Sequence, residues 1–494
     1  LLLLLLASQG MLIGVATRAS TAAQAGASEA TPATQGSRQE PIPPEIHIPA
    51  EVEDWFAEAK KADDNGQASE ALRLQEKVMA WVQTHLPRLH PYRAKTLNAL
   101  GIFQGKLGRW AEALPPTLES VQLWRELNKT NPAFLPDLAK ALGNLGIRYS
   151  DLGRHAEALP PTLESLQLYR ELAKTNPAFL PDLAGALGNL GIRYSDLGRR
   201  AEALPLALES LQIRRELVKT NKAFLPDLAR ALHDLSIRYS ELGRRAEALP
   251  PIQESIQLFR ELAKTNPGFT PHLAASLGNL GMRYSELGRR AEALPPTLES
   301  LQLHRDLAKT NPAFRAQVAA NLDNLGIHYS ELGRRAEALP PALESLQIRR
   351  ELAKTNKAFL PDLARALNNL GIRYRDLGRR AEALPLALES LQLYRDLAKT
   401  NPAFLPDLAW ALNNLGISYS DLGRRAEALP LALESLQLYR DLAKTNPAFL
   451  PDLAWALNNL GISYSDLGRR AEALPPALES LQLYRELAKT NPAF

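Results

Sequence analysis

Residues 135–179 spell LPDLAKALGNLGIRYSDLGRHAEALPPTLESLQLYRELAKTNPAF, and close copies of this 45-residue segment follow one another along most of the 494-residue chain. The glycine of the Leu-Gly-Arg turn recurs every 45 residues, at Gly108, Gly153, Gly198, Gly243, Gly288, Gly333, Gly378, Gly423 and Gly468. A fixed period of this length is typical of repeat architectures, in which each copy packs against its neighbours. A divergent copy in residues 51–91 brings the number of units to ten.

The spacing of apolar residues within one unit predicts two helices joined by a turn. The first apolar stripe comprises Leu138, Leu142, Leu145, Tyr149 and Leu152, and the second comprises Leu159, Leu163, Leu166, Tyr169 and Leu172. Pro136 suits a helix start because it lacks an N–H that would be unpaired there, and Gly153 suits a helix end because glycine tolerates a positive φ. Pro160 and Pro161 lie inside the second helix, where they remove backbone hydrogen bonds, so we expect a kink.

The unit resembles the tetratricopeptide repeat. That family's consensus positions are occupied by Leu142, Leu145, Gly146, Tyr149, Gly153, Ala158 and Leu159, and the match recurs over about 440 of 494 residues. The unit is longer than the usual repeat of about 34 residues. With the run Leu-Asn-Asn-Leu-Gly-Ile at Leu412–Ile417, it most resembles the kinesin-light-chain type and its bacterial relatives. The resemblance implies an all-α fold, a right-handed α-solenoid of about ten stacked helical hairpins whose first helices line a concave groove.

The two ends of the chain differ from the repeats. Residues 1–25 begin with six leucines and end in Ala-Gln-Ala, so we interpret them as the remnant of a signal peptide that lacks its charged n-region. A periplasmic or extracellular location is therefore expected; a membrane anchor and a cytoplasmic protein with a wrongly assigned start are the alternatives. Residues 26–50 contain few large apolar side chains and are predicted to be a disordered linker.

Residues 51–91 are predicted to be an N-terminal capping repeat, and residues 92–494 a solenoid of nine units. Most earlier copies of the final tetrapeptide Asn491–Phe494 continue into Leu-Pro-Asp-Leu-Ala, so we expect the sequence to be truncated there.

Composition excludes several classes of protein. The chain has no cysteine, which removes disulfide scaffolds, cysteine nucleophiles and cysteine-based metal sites. Its 58 Lys and Arg against 54 Asp and Glu leave a formal charge of +4, which argues against a dedicated nucleic-acid binder. The eight histidines are isolated, and no zinc-protease, phosphate-loop, dinucleotide or nucleophile-elbow motif occurs. We therefore expect no enzymatic activity, no metal and no cofactor.

The most regular polar feature is an asparagine ladder on the first helices. Its members are Asn144, Asn189, Asn279, Asn324, Asn369, Asn414 and Asn459, with Asp234 in one unit, and the later units add Asn368, Asn413 and Asn458. Side-chain amides donate and accept hydrogen bonds, so a row of them can pair with the backbone of an extended peptide. Bonds within one helix or to the next repeat are the alternative role.

A variable position four residues before the ladder adds further candidates for the groove. It holds Lys140, Arg230, Arg365, Trp410 and Trp455 among its residues. Exposed tryptophans are good binding anchors, although Trp455 is also explained as a copy of Trp410, since the last two units differ at only two positions. Arginines such as Arg148 precede an acid by three residues and are expected to pair with it along the helix.

These features predict a scaffold that binds extended peptides or partner proteins, without nucleic acid and without membrane insertion beyond an N-terminal anchor. The alternative is a recruitment or sensor arm of a larger bacterial protein. Similar long repeats often accompany an effector, such as a CHAT-type peptidase, which would lie beyond residue 494.

Overall fold

The computed structural model describes residues 47–64 and 67–490, and within them the secondary structure is helical throughout. This confirms the predicted all-α class. The proposed signal peptide, nearly all of the linker and the final tetrapeptide lie outside the described residues.

The described chain forms ten helical hairpins. The first helices of the hairpins are α1 (Ala50–Asp64), α3 (Pro91–Lys106), α5 (Leu135–Asp151), α7 (Leu180–Asp196), α9 (Leu225–Glu241), α11 (Thr270–Glu286), α13 (Arg315–Glu331), α15 (Leu360–Asp376), α17 (Leu405–Asp421) and α19 (Leu450–Asp466). The second helices are α2 (Ala68–His85), α4 (Trp110–Thr130), α6 (His155–Thr175), α8 (Arg200–Thr220), α10 (Leu249–Thr265), α12 (Arg290–Thr310), α14 (Arg335–Thr355), α16 (Arg380–Thr400), α18 (Arg425–Thr445) and α20 (Arg470–Thr490).

Local sequence signals set the helix ends. Before α5, the side chain of Asn131 accepts a hydrogen bond from the Ala133 N–H at 3.0 Å and caps a single 3-10 turn, Pro132–Phe134. Pro136 then occupies the first helical turn, and Gly153 ends the unit's turn with a φ of 72°. The asparagine cap and the positive-φ glycine recur in the later units, whereas α13 begins without a proline.

The second helices tolerate their internal prolines. Helix α6 runs unbroken through Pro160 and Pro161, so the predicted kink there stays a prediction. Helix α10 begins only at Leu249, after a segment of turns, although the same Ala-Leu-Pro-Pro sequence is helical in α12.

Small residues let the two helices of a hairpin approach closely. A Cβ on Gly146 would lie 2.1 Å from Thr162 Oγ1, and Ala158 on the facing helix is fully buried. The Ser165 hydroxyl donates to the Ala139 carbonyl at 2.7 Å and ties the second helix to the first. Thr162 and Ser165 therefore have packing roles.

Apolar clusters span the boundaries between adjacent units. For example, Leu166 and Tyr169 of α6 pack with Leu183 and Leu187 of α7. Neighbouring first helices, such as α5 and α7, also contact each other, whereas such contacts are sparse between neighbouring second helices of the described chain. The first helices therefore form the inner wall of a curved solenoid, with the second helices outside.

The curvature brings successive turns of the superhelix into contact. The Asn446 side chain donates to the Asp196 carbonyl at 3.0 Å, and the Asn401 side chain donates to the Asp151 carbonyl at 3.4 Å. Both pairs are 250 residues apart, or between five and six 45-residue units. That distance along the chain therefore corresponds to one turn of the coil.

We call this region the axial contact: the turns 107–110, 152–155 and 197–200 pack against the loops 355–359, 400–404 and 445–449. The rings of Trp110 and Phe404 are 5.8 Å apart, and a Cβ on Gly198 would lie 2.8 Å from the backbone nitrogen of Ala448. Phe449 is only 1% exposed. Where successive superhelical turns contact each other, the inner wall therefore surrounds the axis of the superhelix.

Candidate binding groove

The predicted groove residues lie on the inner wall. Lys140, Asn144 and Asn189 line one cavity of about 300 Å³ between α5 and α7. Gly185, at the position of Lys140 in the next unit, lines the same cavity. In these two units the variable position and the asparagine ladder thus face the same space.

Charged groups surround this cavity. Burial raises the pKa of the Asp182 carboxyl, and the Lys140 ammonium opposes that rise. Arg214 also lines the cavity, where its Nη1 donates to the Asp227 carbonyl at 3.1 Å. The cavity therefore presents both signs of charge beside two carboxamides, a set that suits the amides and side chains of a peptide.

The ladder has a structural role in two of the early units. Asn144 Nδ2 donates to Asn98 Oδ1 at 3.1 Å, and Asn279 Nδ2 lies 2.7 Å from His233 Nε2. Burial lowers the pKa of His233 to about 4, so its neutral ring accepts this bond. Sequence analysis missed Asn98 and His233, because each stands 46 residues before its partner, one residue off the repeat period.

The ladder behaves differently in the later units. Buried amide atoms of Asn368, Asn413, Asn414 and Asn459 make no hydrogen bond to any described residue. Asn458 is exposed, whereas Asn324 and Asn369 are half-buried. A buried polar atom without a partner costs roughly 1–3 kcal/mol. Since these atoms are also closed to solvent, a ligand would reach them only after the amides turn towards the groove.

The variable position divides into charged and aromatic members. Arg230 forms an ion pair with Asp227 at 2.6 Å, and Arg365 pairs with Asp362. Trp410 and Trp455 are half-buried on α17 and α19. The two arginines are thus partly engaged within the chain, and the tryptophans stay predicted anchors.

The arginines followed by acids are structural, as expected. Arg148 lies 3.2 Å from Asp151, and its Nη1 donates to the Gly101 carbonyl of the preceding unit. Asp196, the matching acid one unit on, accepts from the Ser150 hydroxyl at 2.9 Å. Corresponding ion pairs recur at Arg193, Arg238 and Arg373. These charges therefore connect units instead of forming a track for phosphates.

No group of His, Asp and Glu within residues 47–64 and 67–490 has an arrangement that could hold a metal ion. Across the same residues, none of the helices combines the length and the apolar character needed to span a bilayer.

The comparisons with known proteins agree with this architecture. Tetratricopeptide repeat profiles match residues 138–177, 183–221, 228–267, 273–311, 317–396 and 407–486, together more than half of the chain. The chain therefore belongs to the tetratricopeptide repeat family, whose members typically serve as non-catalytic scaffolds for protein interaction. No curated protein matches the chain in sequence.

Several solved structures are similar in fold. One is BtubC (BKLC) from P. vanneervenii, with 20% identity, a TM-score of 0.41, and coverage of 49% of this chain and 92% of that chain. Another is a putative kinesin light chain of Podosopora anserina with nearly identical TPR-like repeats, at 22% identity, TM-score 0.36, and coverage of 45% and 99%. A third is a Rap protein complexed with Competence and Sporulation Factor, at 12% identity, TM-score 0.49, and coverage of 89% and 99%.

Proposed function

We propose that the chain binds extended peptides, or extended segments of partner proteins, along its inner wall. The observation that carries this proposal is the set of buried, unpaired amide atoms on Asn368, Asn413, Asn414 and Asn459. They lie on the first helices of three consecutive units, α15, α17 and α19.

The chemistry of these amides favours a backbone ligand. Each carboxamide has N–H donors and a carbonyl acceptor, so it can bond to both the C=O and the N–H of a peptide unit. Because the same side chain recurs once per unit, such pairing depends little on the peptide's sequence. Trp410 and Trp455 supply apolar contacts at the same end of the wall. Aromatic anchors of this kind often contribute much of the binding energy of an interface.

The test is a selection of peptides from a random phage-displayed library on the immobilised chain, followed by fluorescence anisotropy of the selected peptide. The triple variant Asn368→Ala, Asn414→Ala, Asn459→Ala removes one of these amides from each unit and should bind at least about tenfold more weakly, since each lost bond contributes roughly 0.5–1.5 kcal/mol. Its melting temperature should change little.

A matched control replaces three carboxamides of the outer face, Gln167→Ala, Gln212→Ala and Gln257→Ala, all of which are exposed on second helices. This control should bind the peptide as the unmodified chain does. A large loss of stability in the asparagine variant, or equal weakening in both variants, would overturn binding at the ladder.

A further inference from the structure

The axial contact between turn 197–200 and loop 445–449 has three components. Gly198 lies against the backbone of Ala448, where a Cβ would come within 3.0 Å of three of its atoms. The Asn446 side chain donates to the Asp196 carbonyl. The Arg200 guanidinium acts electrostatically on the Asp452 carboxyl. The local sequences are Leu-Gly-Arg-Arg for the turn and Thr-Asn-Pro-Ala-Phe for the loop.

Both sequences recur elsewhere without such a contact. The Leu-Gly-Arg-Arg turns at 287–290, 332–335, 377–380, 422–425 and 467–470 form what we call the turn edge. A Cβ on any of their glycines would meet nothing within 4 Å, and these glycines are exposed. By contrast, Gly153 of the axial contact is buried.

The opposite edge carries the complementary loops. We call the loops at 130–134, 175–179, 220–224 and 265–269 the loop edge; two of them have the sequence Thr-Asn-Pro-Ala-Phe. Asn131 and Asn176 are exposed here, whereas the equivalent Asn446 is 6% exposed in the axial contact. The asparagines equivalent to Asn446 are therefore available at these four loops.

Within the residues that the structure describes these two edges do not meet, because a turn packs on a loop about 250 residues further along the chain and no described loop lies that far beyond the turn edge. They do face each other when a second copy is stacked end to end. We propose that the chain associates head to tail with a second copy of itself, with the turn edge of one copy packing on the loop edge of the next. Such an interface joins two different surfaces, so association continues into an open assembly.

Charge on the two edges favours the same partner. The second arginine of each turn-edge motif, equivalent to Arg200, is exposed: Arg290, Arg335, Arg380, Arg425 and Arg470. On the loop edge, Asp137, Asp182 and Asp227 stand where Asp452 does. His272 replaces the acid after the last of the four loops, and Asp227 already pairs with Arg230, so Asp137 and Asp182 are the carboxylates left for a second copy. Opposite charges across an interface speed association and fix its register.

The first test is sedimentation velocity of the full chain over a wide concentration range. The weight-average mass should rise above the 54.4 kDa of one copy as concentration increases, and added salt should reduce the rise, because salt screens exposed charges. A mass that stays at one copy at every concentration would overturn the proposal.

The second test blocks one edge at a time. Ala133→Arg with Ala178→Arg places bulk on two exposed loop positions, and Arg380→Asp with Arg425→Asp reverses two turn-edge charges. Each variant alone should be monomeric, and an equimolar mixture should give a dimer of twice the mass and nothing larger. Only a head-to-tail interface predicts this rescue, since each variant keeps the edge that the other lacks.

Gln167→Arg with Gln212→Arg is the matched control, since it adds the same charge as the loop variant on the outer face. It should associate like the unmodified chain. Ala178→Arg with Ala223→Arg is a second loop-edge variant, should the first fold poorly. A mixture that stays monomeric although both variants show native circular dichroism would overturn the proposal, as would association of either variant alone.

Discussion

Residues 175–183 and 445–453 have the same sequence, Thr-Asn-Pro-Ala-Phe-Leu-Pro-Asp-Leu, but different surroundings. In the second copy Phe449 is 1% exposed and Ala448 is buried against Gly198. In the first copy Phe179 is half-buried and Ala178 is exposed. The two loops have the same cap and the same 3-10 turn, so their local structure does not explain the difference.

The difference comes from the position of each loop in the coil. The two partners of the axial contact are one superhelical turn apart in sequence. A loop can therefore pack on a hairpin turn only if it follows that turn by about 250 residues. The pair of loops therefore provides a natural experiment, in which matched substitutions measure the axial contact while everything local is held constant.

The largest effect is expected from the phenylalanines. Phe449→Ala should lower the free energy of unfolding by about 3 kcal/mol or more, as for other fully buried aromatics, whereas Phe179→Ala should cost roughly 1 kcal/mol because its ring is already partly in water. Urea denaturation followed by circular dichroism measures both. Equal losses would show that the axial contact contributes nothing to stability.

The turn glycines give the next largest effect. Gly198 and Gly423 have φ values of 73° and 77°, so alanine at either position costs about 1–2 kcal/mol for the left-handed backbone alone. Only Gly198→Ala also places its Cβ against Ala448, which adds an overpacking cost of about 1–3 kcal/mol. Thermal melting of the two variants should therefore differ. A larger loss for Gly423→Ala would contradict the close approach at Gly198.

The capping asparagines give a smaller difference. Asn176 and Asn446 each accept from a backbone N–H at 3.0 Å, but only Asn446 also donates across the axial contact. Replacing Asn446 with alanine should cost about 1 kcal/mol more than the same change at Asn176, the typical net value of one hydrogen bond. Hydrogen exchange of the Ala448 and Ala178 amides, compared between variants, would reveal it.

Sequence was sufficient for the hairpin because every signal it uses is local. Pro136, Gly146 and Gly153 act within one unit, and the structure places each as predicted. The axial contact depends instead on a small rotation per unit that accumulates over more than five units. No residue within one unit encodes that sum, so Gly198 and Gly423 have the same local sequence and different neighbours.

The same limit applies to the groove. The 45-residue period correctly placed Lys140, Asn144 and Asn189 on one wall. It did not reveal that Asn279 bonds to His233, since that contact joins different positions of neighbouring units. It also gave Asn413 and Asn458 one role, although Asn413 is buried with unpaired amide atoms and Asn458 is exposed. Comparing each position with the neighbouring position of the preceding unit would have indicated the contact between Asn279 and His233.

The smallest and most specific effect is a pH dependence of the axial contact. Burial raises the pKa of Asp452 to about 7, and Arg200 across the contact opposes the rise. An unfolded aspartate titrates near 4, so between about pH 4 and 7 the folded chain holds the additional proton. Stability from this group is therefore full below the unfolded pKa and is lost as the pH rises through 7.

Asp452→Asn keeps the shape of the protonated carboxyl, so it should remove this contribution. The stability of the unmodified chain should fall more steeply between pH 5.5 and 8 than that of the variant, as measured by urea midpoints. Taking the difference between the two chains cancels the opposite contribution of His155 and His233, whose pKa values burial lowers to about 4. Asp182→Asn, at the equivalent position of a loop outside the axial contact, should change the pH profile less, because its carboxyl is more accessible to water than that of Asp452. Parallel profiles for the unmodified chain and Asp452→Asn would mean that this carboxyl is already ionised in the folded coil, with Arg200 as its counter-ion.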